Sequence, residues 1–516
     1  MKTDVLIIGG GLTGIMAADT VVQNSDLSVL LLQTGSGASP YIHAFCMPVG
    51  PGDSEELFLE DTLRSGYGQS DPALAGKLCG GSLKLLRDLQ AMGCDLDRQG
   101  ENYRLLQALG SSVPRIASIR NSTGPSMLSR LRKRLKESER YRELSGYRAV
   151  SLLTEQGEVA GCRCYCREDD CFVNISAGVT VLASGGFGRL FPESTNSADI
   201  GGDGIAMAYL AGAGLTDMEF IQFEPSAAVW PEQVAGKGIV TTMFYDGAVL
   251  RGADGRRFML EHSEKGECVP KDVQSKCIYR EIQEHGATPH GGVWFDATGV
   301  PEEKWQGSYQ PYLQRYLACG IDLRKEPVEI APAAHTTCGG VRIDENCRTG
   351  IPGLIACGEV AGGLHGANRL GGNAGLETMV FGRIAGEAAI ADACCRTALP
   401  EERTENRQPD VDIAAMRQQL QQVLRSCMNV IRDEAGLKQG LEELSALQSR
   451  LGDHRDCYEK HRLYNDLLTA KIAMLSALQR RGSVGCHCRA DEMEETPYRV
   501  IIKQEAGEMT ALKCSI

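Results

Sequence analysis

No apolar run in this chain approaches the ~20 residues that a bilayer-spanning helix needs. Nothing at its start has the form of an export leader, because the first apolar run, residues 5–8, ends in a glycine turn. These absences argue against membrane insertion and point to the cytoplasm. Positive charge is in short supply too. Lys and Arg number 54 against 67 Asp and Glu, for a formal net charge of −13. That balance disfavours non-specific binding to nucleic acid or to an anionic membrane surface. The Cys-x-x-Cys spacings of common zinc and iron–sulfur sites are also missing, although cysteine itself is plentiful at 20 residues. In a long chain without an export signal these read as thiols in a reducing cell, a composition suited to an anaerobe. The rest is ordinary for a globular protein, with 42% hydrophobic and 23% charged residues in 516. That length suggests about three domains.

Glycine, at 60 residues, clusters after apolar runs. Residues 5–8 read as a buried parallel strand, and Gly9, Gly11 and Gly14 follow as Gly-x-Gly-x-x-Gly. Residues 15–22 then read as a helix, with Ala17 and Ala18 small enough to pack near the strand. A tight turn, close backbone approach to a pyrophosphate and a facing helix N-terminus are the physical content of this pattern. The bland alternative is a structural glycine turn. A second strand is expected over 27–32. Its end should carry an acid for ribose hydroxyls, but Gln33 and Thr34 stand there; an amide also hydrogen-bonds a ribose.

A second glycine module begins with a strand over 179–182, followed by Ala183-Ser184-Gly185-Gly186 and then by Gly201-Gly202-Asp203-Gly204 at the head of an alanine-rich helix. A third follows the strand 353–357. It opens on Gly358-Glu359 and continues through Leu364-His365-Gly366-Ala367-Asn368-Arg369-Leu370-Gly371-Gly372-Asn373. His335-Thr336-Thr337-Cys338-Gly339-Gly340 lies between the second and third. Taken together, the ordered motifs resemble the succinate dehydrogenase/fumarate reductase flavoprotein family, which also holds L-aspartate oxidase. The resemblance covers roughly residues 1–395, with a weaker tail.

The resemblance implies an α/β fold with a doubly wound, Rossmann-like FAD domain, an inserted α+β capping domain and a C-terminal helical domain. The expected ranges are 1–221 plus 332–396, 222–331 and 405–482, with a tail over 483–516. It implies bound FAD, with Gly9, Gly11, Gly14, Gln33, Ala183, Gly185, Gly186, Asp203, Glu359, Arg369, Asn373, Ala374 and Leu376 toward the cofactor. For Asp203 an acidic helix cap is the plainer alternative. Family members place a histidine at the position of His335 and an arginine at that of Arg369, both on a substrate carboxylate. The alternatives are a buried loop histidine and a structural ion pair.

Other positions depart from the family. Glu224-Pro225-Ser226 replaces His-Pro-Thr, Thr242-Met243 replaces Thr-Glu, and Lys271-Asp272 replaces the Arg-Asp pair that carries the proton-shuttling arginine. A desolvated lysine can donate a proton but lacks the guanidinium fork; otherwise Lys271 is a solvated helix residue and the shuttle is lost. The expected catalytic set is therefore Lys271, His335, Arg369 and Glu224. A glutamate in place of a histidine suits a second carboxylate poorly, so the expected substrate is a mono-acid, an enoate or a conjugated alkene other than fumarate, succinate or aspartate. Where respiratory members attach flavin covalently at Ser-His-Thr, this chain has Ser39-Pro40-Tyr41, with His43 close by. Non-covalent FAD is expected.

Cys162, Cys164 and Cys166 alternate on an expected strand, with Cys171 beyond. They read as packing thiols, and no metal site is expected. Cys338, beside the expected flavin loop, is a candidate redox thiol, with packing the plainer role. Gly485, His487, Arg489 and Asp491 match a family pattern, which gives Cys486 and Cys488 a structural setting. Helical spacing of apolar residues appears over 413–424, 428–437, 441–451 and 464–480, and residues 498–503 read as a strand. Three functions remain open. The first is an enzyme acting on a carbon–carbon bond beside a carboxylate. The second is an electron-relaying subunit that needs an iron–sulfur partner. The third is a non-catalytic FAD-binding homologue.

Overall fold

The computed structural model describes every residue except 36, 121, 395–398, 401, 494–496, 506 and 516. The expected end of the FAD domain at 396 lies outside the described residues. The strand Lys2–Ile8 runs parallel to Val29–Gln33 on one side and Cys171–Leu182 on the other. Tyr141–Ser145 extends the sheet beyond Val29–Gln33, and Leu354–Ala356 joins the C-terminal half of Cys171–Leu182 in parallel. Val5, Leu6 and Ile7 are fully buried, as a strand covered on both faces requires. The N-terminal half of Cys171–Leu182 pairs antiparallel with Glu158–Cys166, whose Cys162 and Cys164 are packed inside the main core.

The helix Leu12–Asn24 starts directly after the glycine turn and crosses Asn373–Asp392 at close range. A side-chain carbon at Gly382 would lie 2.7 Å from the carbonyl oxygen of Thr13, and one at Gly386 would lie 2.8 Å from that of Ala17. This close contact ties the N-terminal glycine motif to the third glycine module, far along the chain.

A four-stranded antiparallel sheet orders Ile221–Ala228, Val328–Thr337, Val293–Asp296 and Val249–Arg251. It has its own core, which includes Phe258, Phe295, Tyr316 and Ile330. The register of Ile221–Ala228 shifts on both sides of the Phe223–Glu224 pair. Such bulges re-aim side chains, and Pro225 removes a ladder donor at the same place.

The C-terminal region holds three helices rather than the four expected: Ile413–Cys427, Glu434–Leu451 and Tyr458–Gln479. Residues 428–437 and 441–451 are not separate helices. The Asp433 side chain accepts from the Gly436 amide at 2.7 Å and starts one long helix there. Just before it, Ile431–Arg432 pairs with Cys488–Arg489. The tail forms a hairpin of Tyr498–Glu505 with Glu508–Ser515, joined to Leu215–Thr216. His487 is buried between Arg432 and the carbonyl of Arg480, both at 3.0 Å, so its motif braces this junction. Among the described residues no helix is long and apolar enough to cross a membrane, and no group of three His, Cys, Asp or Glu side chains is placed to hold a metal ion.

Candidate active site

The glycine motifs converge because their strands are neighbours. Gly9 has φ +121°, and a side-chain carbon there would collide with the carbonyl of Ala183, at the end of the adjacent strand. One at Gly14 would collide with the carbonyl of Gly9. Only glycine lets strand, turn and helix meet this closely. At the start of the helix, the Leu12 amide donates to Ser39 Oγ at 2.7 Å.

A cavity of about 940 Å³ runs from this turn to the four-stranded sheet. Gly9, Gly11, Ala183, Gly185, Asp203, Glu359 and Ala374 line it, as do Glu224, Lys271, His335 and Arg369. Gly14, Gln33, Gly186, Asn373 and Leu376 do not. Gly14 and Gly186 act one layer back, where each makes room for a neighbour: Gly186 stands against Thr337 and Glu359. Leu376 is core, and Asn373 Nδ2 donates to Thr62 Oγ1 at 3.1 Å. Gln33 is turned aside because Arg132 donates to its Oε1 and also to the carbonyl of Gly10. Thr34 and Gly35 take its place on the wall.

Asp203 sits in the first turn of Asp203–Leu210 and pairs with Arg148, at 3.0 Å from its Nε. Burial opposes its ionisation, but Arg148 and Arg462 outweigh burial and hold the carboxyl below its usual range. Gly202 is the N-cap of this helix and no side chain caps it, so Asp203 lines the cavity from the first turn without acting as a cap. Glu359 accepts from the Thr337 amide at 3.1 Å, and burial pushes its carboxyl upward. Ser184 Oγ, Thr337 Oγ1 and Asn373 Oδ1 are buried without a protein partner. A long cavity with a glycine cradle, a helix N-terminus and the partnerless Ser184 Oγ on its wall fits a dinucleotide such as FAD.

The four residues expected to be catalytic meet at the other end. The strand Val328–Thr337 delivers His335, the adjacent bulge delivers Glu224, and Lys271 opens the helix Lys271–His285. Lys271 Nζ is ion-paired with Glu224 Oε2, and Ser226 Oγ donates to Oε1 at 3.0 Å. His335 Nε2 lies 3.9 Å from Glu224, while Nδ1 meets Thr195 Oγ1 at 2.8 Å. Burial alone would raise the Glu224 carboxyl, but the Lys271 ammonium and the hydrogen bonds from Lys271 and Ser226 more than offset it, so it stays ionised at neutral pH. Burial, with Lys271 and Arg369 close by, pushes His335 down to about 3. His335 is thus a neutral hydrogen-bonding group.

Arg369 is 6% exposed and, among the described residues, its side chain donates only to the carbonyl of Leu370, at 3.3 Å. Its Nε has no partner, and it forms no ion pair among the described residues. Gln222 Nε2 fixes its loop, donating to the Arg369 carbonyl at 2.9 Å and to Asn368 Oδ1 at 2.7 Å. Burial pushes the Cys338 thiol up to about 12, which suits packing better than redox exchange. Arg315, Tyr312 and His43 also line this end. They lie outside any motif, and only the folding of the helix Gln310–Leu317 brings the first two here.

A Rossmann-type cradle opening onto a guanidinium, a neutral histidine and a lysine–glutamate pair defines an FAD-dependent oxidoreductase. The chain belongs to the succinate dehydrogenase/fumarate reductase flavoprotein family. The family model described as FAD binding domain matches residues 4–374, and that described as fumarate reductase flavoprotein C-term matches 417–499. The chain is 35% identical to a fumarate reductase (CoM/CoB) subunit of Methanothermobacter marburgensis, over 96% of this chain and 95% of the relative. It is 30% identical to L-aspartate oxidase of Streptomyces coelicolor, over 97% and 90%. Among solved structures, Mycobacterium smegmatis Sdh1 in complex with UQ1 superposes with a TM-score of 0.85 at 27% identity, over 100% of this chain and 94% of the other. E. coli quinol fumarate reductase FrdA gives 0.90 at 24%, a likeness of fold, over 100% and 97%.

Proposed function

We propose that this oxidoreductase acts on a carbon–carbon bond next to a carboxylate, with a main substrate other than fumarate, succinate or aspartate. The observation that carries this reading is the buried, ionised Glu224 held by Lys271 in the same cavity as Arg369, whose Nε has no partner. Arg369 takes the carboxylate next to the reacting bond, because its free N–H groups match two oxygens at once. Non-covalently bound FAD supplies the redox chemistry. Neutral His335 hydrogen-bonds the substrate without adding charge, its ring fixed by Thr195. Lys271 delivers or removes the proton at the second carbon, and Glu224 orients its ammonium. The module over 222–331 acts as the cap that keeps water from this end.

Glu224 speaks against fumarate, the substrate in the methanogen relative's name: a second carboxylate of a four-carbon diacid would approach a fixed negative charge in a poorly solvated pocket. Steady-state turnover with an artificial electron donor tests the reading. Good turnover on fumarate or succinate, against none on other unsaturated acids, would sink it. A second reading, an electron-relaying component of a larger complex, draws on the methanogen relative's being named as one subunit of a reductase. Iron and sulfide co-purifying with an associated iron–sulfur chain would favour it.

A further inference from the structure

We propose that Arg315 is a specificity-determining residue that binds a second anionic group, at the end of the substrate remote from Arg369. The substrate is then an unsaturated dianion longer than four carbons. This deepens the enoate reading and rests on it.

Arg315 lines the cavity from the helix Gln310–Leu317. Its Nη1 donates to the Gly238 carbonyl at 3.0 Å, and its guanidinium lies 5.3 Å from the Tyr312 ring centroid. It makes no ion pair among the described residues, so most of its five N–H donors are free. Arg315 and Arg369 line one cavity, and neither is paired with a carboxylate among the described residues.

Glu224 relates the two. On one side its Oε2 lies 3.9 Å from His335, whose other electrostatic neighbours include Arg369. On the other, its Cγ is 3.6 Å from where a side-chain carbon at Gly238 would stand, and Gly238 carries Arg315. Glu224 thus borders both the His335 side of the cavity and the Gly238 segment that holds Arg315. A second substrate carboxylate is repelled by Glu224 and received at Arg315, so the spacing required exceeds that of fumarate. His43, whose ring centroid lies 6.2 Å from that of Tyr312, closes this end. The expected mono-acid followed from Glu224 standing in place of a histidine; Arg315, outside every family motif, supplies a cation elsewhere in the cavity.

The test uses the FAD-loaded enzyme and reads binding separately from turnover. Saturated acids (butyrate, succinate, adipate) are titrated against the visible flavin spectrum. Crotonate, fumarate and trans,trans-muconate are compared as electron acceptors. The expected result is adipate binding about tenfold or more tighter than butyrate or succinate. Arg315→Gln should cost adipate about tenfold and butyrate much less, with Arg315→Lys intermediate. Succinate binding as tightly as adipate, or Arg315→Gln weakening adipate and butyrate alike, would overturn the proposal. The two readings fail separately. Selective adipate binding with no turnover of any unsaturated acid defeats the enoate reading and upholds the Arg315 assignment. Turnover of crotonate with no preference for a dianion does the reverse.

Discussion

Replacing Lys271 by methionine should invert the pH dependence of stability around Glu224. In the native protein Glu224 is buried and its carboxyl is held below the usual range by the Lys271 ammonium and the hydrogen bonds from Lys271 and Ser226, against the opposing effect of burial. A depressed carboxyl stabilises the fold above its unfolded pKa, about 4.3, and that stabilisation is lost as pH falls through the lower folded value. Lys271→Met removes the main attraction and leaves desolvation dominant, which drives the carboxyl above its unfolded pKa. The folded state then binds a proton that the unfolded state does not, so stability rises as pH drops from about 8 to about 5. An uncompensated buried charge costs about 3–5 kcal/mol at the high end of that range, a fall in melting temperature on the order of 10 °C for a cooperative unit of this kind. Lys271→Met/Glu224→Gln removes the charge as well, so it should recover much of the loss and show little pH dependence. Thermal unfolding across pH for the three proteins is the assay. A Lys271→Met protein that follows the wild-type profile, with a double variant no more stable than the single one, would refute the buried-pair account.

Further outcomes follow from the same geometry. Gly14→Ala pushes a methyl into the Gly9 carbonyl and should lower FAD affinity by about tenfold or more, or about 1.4 kcal/mol, read from flavin content after gel filtration. Arg369→Lys keeps the charge but loses the fork, and should reduce kcat/KM for an unsaturated acid by about 10²–10³-fold; an unchanged value would remove Arg369 from the carboxylate site. Acid precipitation should leave all flavin in the supernatant, with intact-protein mass equal to that of the bare chain. A flavin adduct on His43 would contradict non-covalent binding.

What could be read from the sequence depended on how local the physical reason was. Gly9 and Gly14 constrain a turn of a few residues, and the strand and helix beside them were evident from the same stretch. Arg132, which claims Gln33, is 99 residues away, so nothing beside Gln33 warned that its amide was taken. Apolar spacing over 428–451 gave the helical period but not the break: Asp433 caps one helix, and the residues before it pair with Cys488–Arg489. His335 and Arg369 could be found from their glycine-rich contexts. Their electrostatic state could not, because it depends on Thr195, Glu224 and Lys271 arriving from other segments. Arg315 carried no signal at all. Its role comes from a helix folding back onto Gly238, 77 residues earlier.

The most direct test of the account is to reduce the FAD-loaded enzyme anaerobically and follow its visible absorbance on rapid mixing with a series of unsaturated acids. The account predicts fast reoxidation by an unsaturated acid other than fumarate, slowed about 10²–10⁴-fold in Lys271→Met. Reduced flavin that no unsaturated acid reoxidises, or a Lys271→Met enzyme as fast as wild type, would contradict it.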